Sequence, residues 1–197
     1  MRREHIIESG EDSSLRFWFK GEQNRLIDEI SGNPIIINQN LMVWDSGMQA
    51  YRFNKPSSYN PKYSAYCECD TGMDKLVMTV VADIYPYSSG KNIVTLDTWP
   101  TRQAMFGVGY NNLTRNTWNR VAFFFERPTP TTIHYYIYLN GVKIRDDAPA
   151  TSDGTFNRYQ GVTLNFVNQW SNDWGVYFGK NFRWYNRVLT LQEVAAL

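Results

Sequence analysis

Hydrophobic and polar positions alternate with a period of two along much of the chain. In "LRFWFK" (15–20), Leu15, Phe17 and Phe19 take one side and Arg16, Trp18 and Lys20 the other. That is the pattern of a half-buried strand. "IHYYIYL" (133–139) repeats it, with Ile133, Tyr135, Ile137 and Leu139 set against His134, Tyr136 and Tyr138. "KLVMTVVADIY" (75–85) is almost continuously apolar. Its β-branched Val77, Thr79, Val80, Val81 and Ile84 favour a central strand covered on both faces over a helix. "PIIIN", "GMQAYRFNKP", "NIVTLDTW", "QAMFGVGY", "WNRVAFFFE" (118–126), "GVTLNFV" and "GVYFGKNFRWYN" supply the remaining strands.

Turn chemistry separates these runs at roughly 10–15-residue spacing. "EISGNP" (29–34), "PSSYNP" (56–61) and "RPTPTT" (127–132) read as turns or loops. Asn140-Gly141 sits between two apolar runs and predicts a tight type I′ hairpin. No helix-period segment lies among the strands. The fold class expected is all-β: a two-sheet antiparallel β-sandwich with one short C-terminal helix. The helix start is well specified. Thr190 and Glu193 form a capping box, and Leu189 and Val194 are placed as a hydrophobic staple. A helix this short needs the sandwich beside it to persist.

Composition agrees with one core. Of 197 residues, 43% are hydrophobic and 16% aromatic, with 13 Tyr, 11 Phe and 7 Trp, the side chains that suit a pleated surface. The expected organisation is a polar N-terminal arm over 1–14 and a single sandwich domain over 15–197. A formal net charge of +1 leaves no electrostatic footprint for nucleic acid. No apolar run is long enough to span a membrane. Cys67 and Cys69 lie two apart on one strand face, poorly placed to bridge each other, and read as free thiols of a reducing compartment. "MRREHIIESGEDSS" has no apolar signal region. The localisation expected is the virion, or the cytoplasm of the producing cell.

Candidate chemistry is sparse. Glycoside hydrolysis needs two carboxylates facing one sugar. "ECDTGM" offers Glu68 and Asp70, but Met73 stands where a third acid would continue the pattern and Gly72 interrupts the strand. The two histidines, His5 and His134, assemble no nucleophilic constellation, and "GVG" (107–109) lacks the Lys-Ser/Thr of a phosphate loop. No catalytic or metal residues are assigned, and no enzyme is expected. Aromatics are the stronger lead. His134, Tyr136 and Tyr138 form a polar-tipped stripe, and "QWSNDWG" adds Trp170 and Trp174. These five are the candidate binding residues, suited to sugar stacking or to a protein interface. The alternative is that both faces of this strand are covered and the stripe is packing.

The end of the chain resembles the laminin-G-like, concanavalin A-like jelly-roll superfamily, whose members close on Arg-Ile-Tyr-Asn-Arg, Ala-Leu-Ser and a Glu-Ile helix turn. Here Arg183-Trp184-Tyr185-Asn186-Arg187 is followed by Val188-Leu189-Thr190 and Glu193-Val194. Trp118, Val121 and Ala122 match the family's Trp-His-His-Val-Ala strand, and Tyr138, Asn140 and Gly141 its Tyr-x-Asn-Gly hairpin. "SGN" (31–33) and "AYRFN" (50–54) resemble its opening turn and second strand, so the likeness runs over about 15–197. Two departures stand out. Acidic residues usually precede the final Arg-x-Tyr, whereas Lys180-Asn181-Phe182 stands here, and the acid before Ser-Gly-Asn is Asp28 or Glu29. Some relatives bind calcium through loop carboxylates, so the resemblance leaves calcium as an alternative that the motif here does not support; no cofactor is expected.

The resemblance implies a fold that serves lectins, glycan hydrolases, adhesion modules and virion proteins. The function expected is a non-catalytic structural or interaction protein, a phage capsid-decorating or fibre component of the virion. Its partners would be proteins of a larger assembly, as a homo-oligomer or otherwise. The alternative is a carbohydrate-binding lectin-type module with a glycan ligand, and a glycan hydrolase comes third.

Overall fold

A computed structural model describes residues 12–35, 42–54, 77–87, 95–99, 104–107, 113–129, 132–151, 161–165 and 176–197. Eleven strands and one helix lie among them: β1 Leu15–Phe19, β2 Met42–Asp45, β3 Ala50–Phe53, β4 Met78–Pro86, β5 Thr95–Trp99, β6 Ala104–Gly107, β7 Asn119–Thr129, β8 Thr132–Leu139, β9 Val142–Thr151, β10 Gly161–Asn165, β11 Tyr177–Tyr185 and α1 Leu191–Ala196. The larger sheet runs β2-β3-β11-β4-β7-β8-β9, with β1 also paired to β11; the smaller runs β10-β5-β6. Every pairing is antiparallel. The architecture is a two-sheet antiparallel β-sandwich with a short C-terminal helix.

The last strand, β11, is inserted between β3 and β4. One of its edges pairs with β4 alone. The other edge is shared: Tyr177–Gly179 face β3, and Phe182–Tyr185 face β1.

β4 occupies the centre, between β11 and β7, and is buried on both faces as its apolar run predicts. Met78, Val80, Ala82 and Ile84 join Phe17, Phe19, Phe53, Phe123, Phe182 and Trp184 in the larger hydrophobic cluster. Each large side chain so buried contributes about 1.5–3 kcal/mol. Val81 turns the other way, into a second cluster with Leu15, Ala122, Phe124, Tyr185, Leu189 and Val194. Leu189 and Val194 flank the N-cap, so the helix and the turn before it cover this second face.

The helix start is built as its sequence predicts. Thr190 is extended (φ −72°, ψ 158°), its hydroxyl accepts from Glu193 N, and the Glu193 carboxylate accepts from Thr190 N. The buried Thr79 hydroxyl ties the approach to the sheet, donating to Arg187 O (2.8 Å) and accepting from Leu189 N (2.9 Å). Arg187 bridges Asp12 and Glu193 through its guanidinium, which fastens the last residues of the polar arm to the helix. Residues 1–11 of that arm lie outside the described residues.

Two expectations are corrected. Leu15 does not share a face with Phe17 and Phe19: the register between β1 and β11 shifts between Leu15 and Phe17, and this irregularity sends Leu15 into the second cluster. The turn expected over 127–132 is tighter, because β7 runs to Thr129 and β8 begins at Thr132. Pro128 is accommodated where the β7–β8 register breaks, between Glu126 and Thr129. The hairpin at Asn140-Gly141 stands as predicted, with φ of 49° and 80° and Leu139 paired to Val142.

Candidate functional site

The shared edge of β11 changes partner at Lys180 and Asn181. Asn181 adopts a left-handed conformation (φ 55°), and the register against β4 shifts between Lys180 and Arg183. The extra residue of this bulge turns its side chain to Asp83, whose Oδ2 accepts from Asn181 Nδ2 at 2.9 Å. Asp83 also holds Arg120 in a bidentate pair (2.8 and 3.0 Å), and its carboxylate keeps that guanidinium above its usual range. Asn181 N donates to Lys20 O at 3.1 Å, tying the end of β1 to the bulge. Gly21 follows with φ 79°, and a Cβ there would stand 3.0 Å from Lys180 Cβ. Only glycine lets the chain leave β1 so close to β11.

Around this handover lies an open cleft of about 620 Å³. Trp18 and Lys20 from β1, with Gly21, Glu22 and Gln23 beyond it, form one side. Trp44, Ser46 and Gln49 from β2 and its turn into β3 form another, and Lys180 and Asn181 complete the lining. Gln49 is left-handed (φ 48°); every other non-glycine with positive φ among the described residues is an asparagine. Such backbone costs about 1–2 kcal/mol for a residue without a short polar side chain. Strain of this kind gathers at ligand sites.

The walls are held firmly. The buried Asp28 carboxylate accepts from Trp18 N (2.9 Å), Ile30 N (3.1 Å), Ser31 N (3.2 Å) and Ser31 Oγ (2.5 Å). Glu29 instead pairs with Arg25. Asp28 is therefore the structural acid before Ser-Gly-Asn, and its oxygens serve the chain's own donors. The Trp18 ring lies under two cations, Lys20 Nζ at 4.5 Å and the Arg183 guanidinium at 4.7 Å. Trp44 meets Tyr51 edge to face at 5.2 Å. Both indole Nε1 atoms are buried without a partner among the described residues. Lys180 Nζ sits 4.4 Å over Trp118. Burial lowers Arg183 below its usual range, and the nearby Arg120 cation adds to the shift.

The predicted stripe is assembled in part. His134, Tyr136 and Tyr138 lie on the face opposite Tyr135, Ile137 and Leu139, as the alternation requires. Tyr136 stacks on Phe124 (4.9 Å, 9°) and donates to Glu126 Oε1 at 2.6 Å. Burial and that carboxylate push its phenol well up. Tyr138 packs edge to face on Phe124 at 5.4 Å. His134 Nε2 stands 2.7 Å from Asp146 Oδ1, and Asp146 also accepts from Lys143 Nζ at 2.8 Å. The polar tips of His134 and Tyr136 thus meet neighbouring side chains of β7 and β9. Trp170 and Trp174 lie outside the described residues, as do His5, Cys67, Glu68, Cys69 and Asp70.

The cleft residues did not come forward from the sequence. Two signals point to them in retrospect. Trp18 is an outward tryptophan between Arg16 and Lys20 in an otherwise regular alternation. Lys180-Asn181-Phe182 is the stretch that departs from the acidic pattern of the superfamily the chain's end resembles, and the structure sets Lys180 and Asn181 in the cleft. Among the described residues no group of three or more His, Cys, Asp or Glu is placed to hold a metal ion. No helix among them is long and apolar enough to cross a membrane.

No protein-family model and no curated protein matches the chain. Solved structures share its fold. Domain 4 of AbnA, a GH43 extracellular arabinanase from Geobacillus stearothermophilus solved with arabinotriose, aligns with a TM-score of 0.55 at 15% identity over 94% of this chain and 98% of that one. The binding domain of botulinum neurotoxin DC, solved with rat synaptotagmin II, aligns at 0.58 and 11% identity, over 93% of this chain and 50% of the toxin domain. Trypanosoma rangeli sialidase with the inhibitor DANA aligns at 0.64 and 12% identity over 93% of this chain and 32% of the enzyme. The chain thus spans nearly all of the first, half of the second and a third of the last. At these identities the likeness establishes the β-sandwich fold.

Proposed function

We propose that the chain is a non-catalytic carbohydrate-binding module of the concanavalin A-like, laminin-G-like jelly-roll type, with its site in the cleft where β1, the β2–β3 turn and the bulge of β11 meet. The observation that carries this reading is the lining: two tryptophans, Gln23, Gln49 and Asn181, and two lysines around one open volume. Aromatic walls with a few convergent polar groups are what a sugar-sized ligand needs. The neighbour of matching length was solved with an oligosaccharide, which supports the choice of ligand. No cofactor takes part in this reading. A glycan array with the purified chain tests it. Binding is expected, and Trp44→Ala is expected to abolish it while the fold persists. Silence across the array, binding indifferent to Trp44→Ala, or release of cleaved sugar would each defeat it.

A second reading, protein contact within a virus particle, is favoured by one observation. A small hollow of about 130 Å³ opens between the β8–β9 hairpin and α1. Two exposed apolar residues stand beside it, Val142 (65% exposed) at the hairpin and Leu191 (42%) on the helix. Assembly onto a particle or into an oligomer that survives Val142→Glu would remove this reading.

A further inference from the structure

We infer that the cleft selects an acidic saccharide, one bearing a carboxylate or sulfate group, over its neutral counterpart; this rests on the cleft being the carbohydrate site. Among the described residues, Lys20 and Lys180 line it against one acid, Glu22. Glu22 already has Arg25 Nε at 3.8 Å. The whole chain carries a formal charge of only +1, so the excess here is local.

The positive groups are brought together by the fold. Lys20 O accepts from Asn181 N at 3.1 Å, so the two lysines leave adjacent points of neighbouring strands. Gly21 brings the chain within contact of Lys180 Cβ. Arg183 adds a third cation against the Trp18 ring.

Neither lysine has an ion pair among the described residues, whereas Arg183 feels the Asp83 carboxylate and hydrogen-bonds Tyr185. Lys20 rests on Trp18, Lys180 on Trp118 and Arg183 on Trp18, at 4.4–4.7 Å from the ring centres. A ring face holds a cation in place but takes up little of its hydrogen-bonding capacity. Arg183 also donates to Leu197 O at 3.2 Å; the lysine ammonium groups remain for a ligand. Other cations do have acidic partners: Arg120 has Asp83, Arg187 has Asp12 and Glu193, and Lys143 has Asp146. Cations gathered without anions repel one another, and an anionic group between them relieves that repulsion with charge-assisted hydrogen bonds. The amides and the Trp44 wall are left to hold the neutral part of the sugar.

The test is a glycan array of matched pairs, followed by calorimetric titration of the best pair against the full chain. Each pair holds an acidic oligosaccharide and a neutral partner that differs only in one group. For carboxylates the partner is the methyl ester; for sulfates it is the desulfated sugar. The acidic member is expected to bind roughly tenfold more tightly or better, a preference that shrinks as salt is raised. Preference in either series supports the inference and identifies the group. The double variant Lys20→Gln/Lys180→Gln is expected to bring the acidic member down to its partner's affinity, removing the difference between the two. Equal affinity for the two members, or a preference that survives the double variant, overturns the inference and leaves the carbohydrate reading standing. Absence of binding throughout overturns both. An unchanged melting temperature of the double variant shows that the loss is not unfolding.

Discussion

The two ends of β11 carry opposite kinds of surface. Beyond Phe182, the strand lies under Leu189 and Val194, and every charged group around Arg187 has an opposite partner: Asp12, Glu193 and the capping box of Thr190 close on one another. Before Phe182, at Lys180 and Asn181, the lysine cations rest on aromatic rings and have no ion pair among the described residues. One end closes its charges on one another; the other sets its lysines beside an open cleft. The contrast separates two tasks that one strand performs. Burial and satisfied polar groups stabilise the fold, and unsatisfied groups held in fixed positions are what a ligand can complete.

Substitutions along β11 test that division, and the largest effect is expected at the hinge between the ends. Phe182 is fully buried, stacks on Phe19 and meets Phe53 edge to face. Phe182→Ala is expected to destabilise the protein by about 3–5 kcal/mol in urea titration. A loss below 1 kcal/mol would mean that the bulge is not held by the core. Gly179 comes next. A Cβ there would stand 2.7 Å from the Phe182 ring and 3.1 Å from that of Phe53, so Gly179→Ala is expected to cost about 1–3 kcal/mol through overpacking. A neutral result would show that these rings shift freely.

At the closed end, Thr190→Ala removes the helix cap and is expected to cost about 1 kcal/mol without altering ligand binding. A change in binding would join the two ends that the structure keeps apart.

Acid acts on the same end, and more weakly because Arg187 and Glu193 are more than a third exposed. Hydrogen bonds from Arg187 lower Asp12 from 3.8 to about 2 and Glu193 from 4.5 to about 2. Both shifts are downward, so their stabilisation is complete above the ordinary carboxylate range and is lost as pH falls from about 4.5 towards 2. The melting temperature should therefore drop through that window. Arg187→Gln should flatten this part of the profile, and a profile unchanged by that substitution would count against the bridge.

The smallest effect is expected at the open end. Lys20→Gln and Lys180→Gln should leave stability within about 0.5 kcal/mol of the parent. A larger loss would make these lysines structural and blur the contrast.

Much of the fold was legible in the residues. The period of two in 15–20 and 133–139 placed β1 and β8, the β-branched run placed β4 at the centre, and Asn140-Gly141 and Thr190/Glu193 placed a hairpin and a helix start. β2 was not foreseen, because four residues of "MVWD" are too few to show a period. Leu15 was assigned to the wrong face because alternation extrapolates through a register shift that only pairing with β11 reveals. The stripe of His134, Tyr136 and Tyr138 was legible as a face, but its ties to Phe124, Glu126 and Asp146 depend on which strands lie beside it.

The cleft was the least legible feature. Its residues come from 18–23, 44–49 and 180–181, and no local pattern joins them. Readable from the residues alone were the properties that act over a few positions: side-chain alternation, a left-handed asparagine–glycine turn, a reciprocal cap. The insertion of the last strand between β3 and β4, with the bulge where its edge passes from β3 to β1, emerges only in the assembled sheet. Pairing partners are chosen by burial summed over the whole sheet, so the positions of Lys20, Lys180 and the two tryptophans around one opening exist only once that sum has been made.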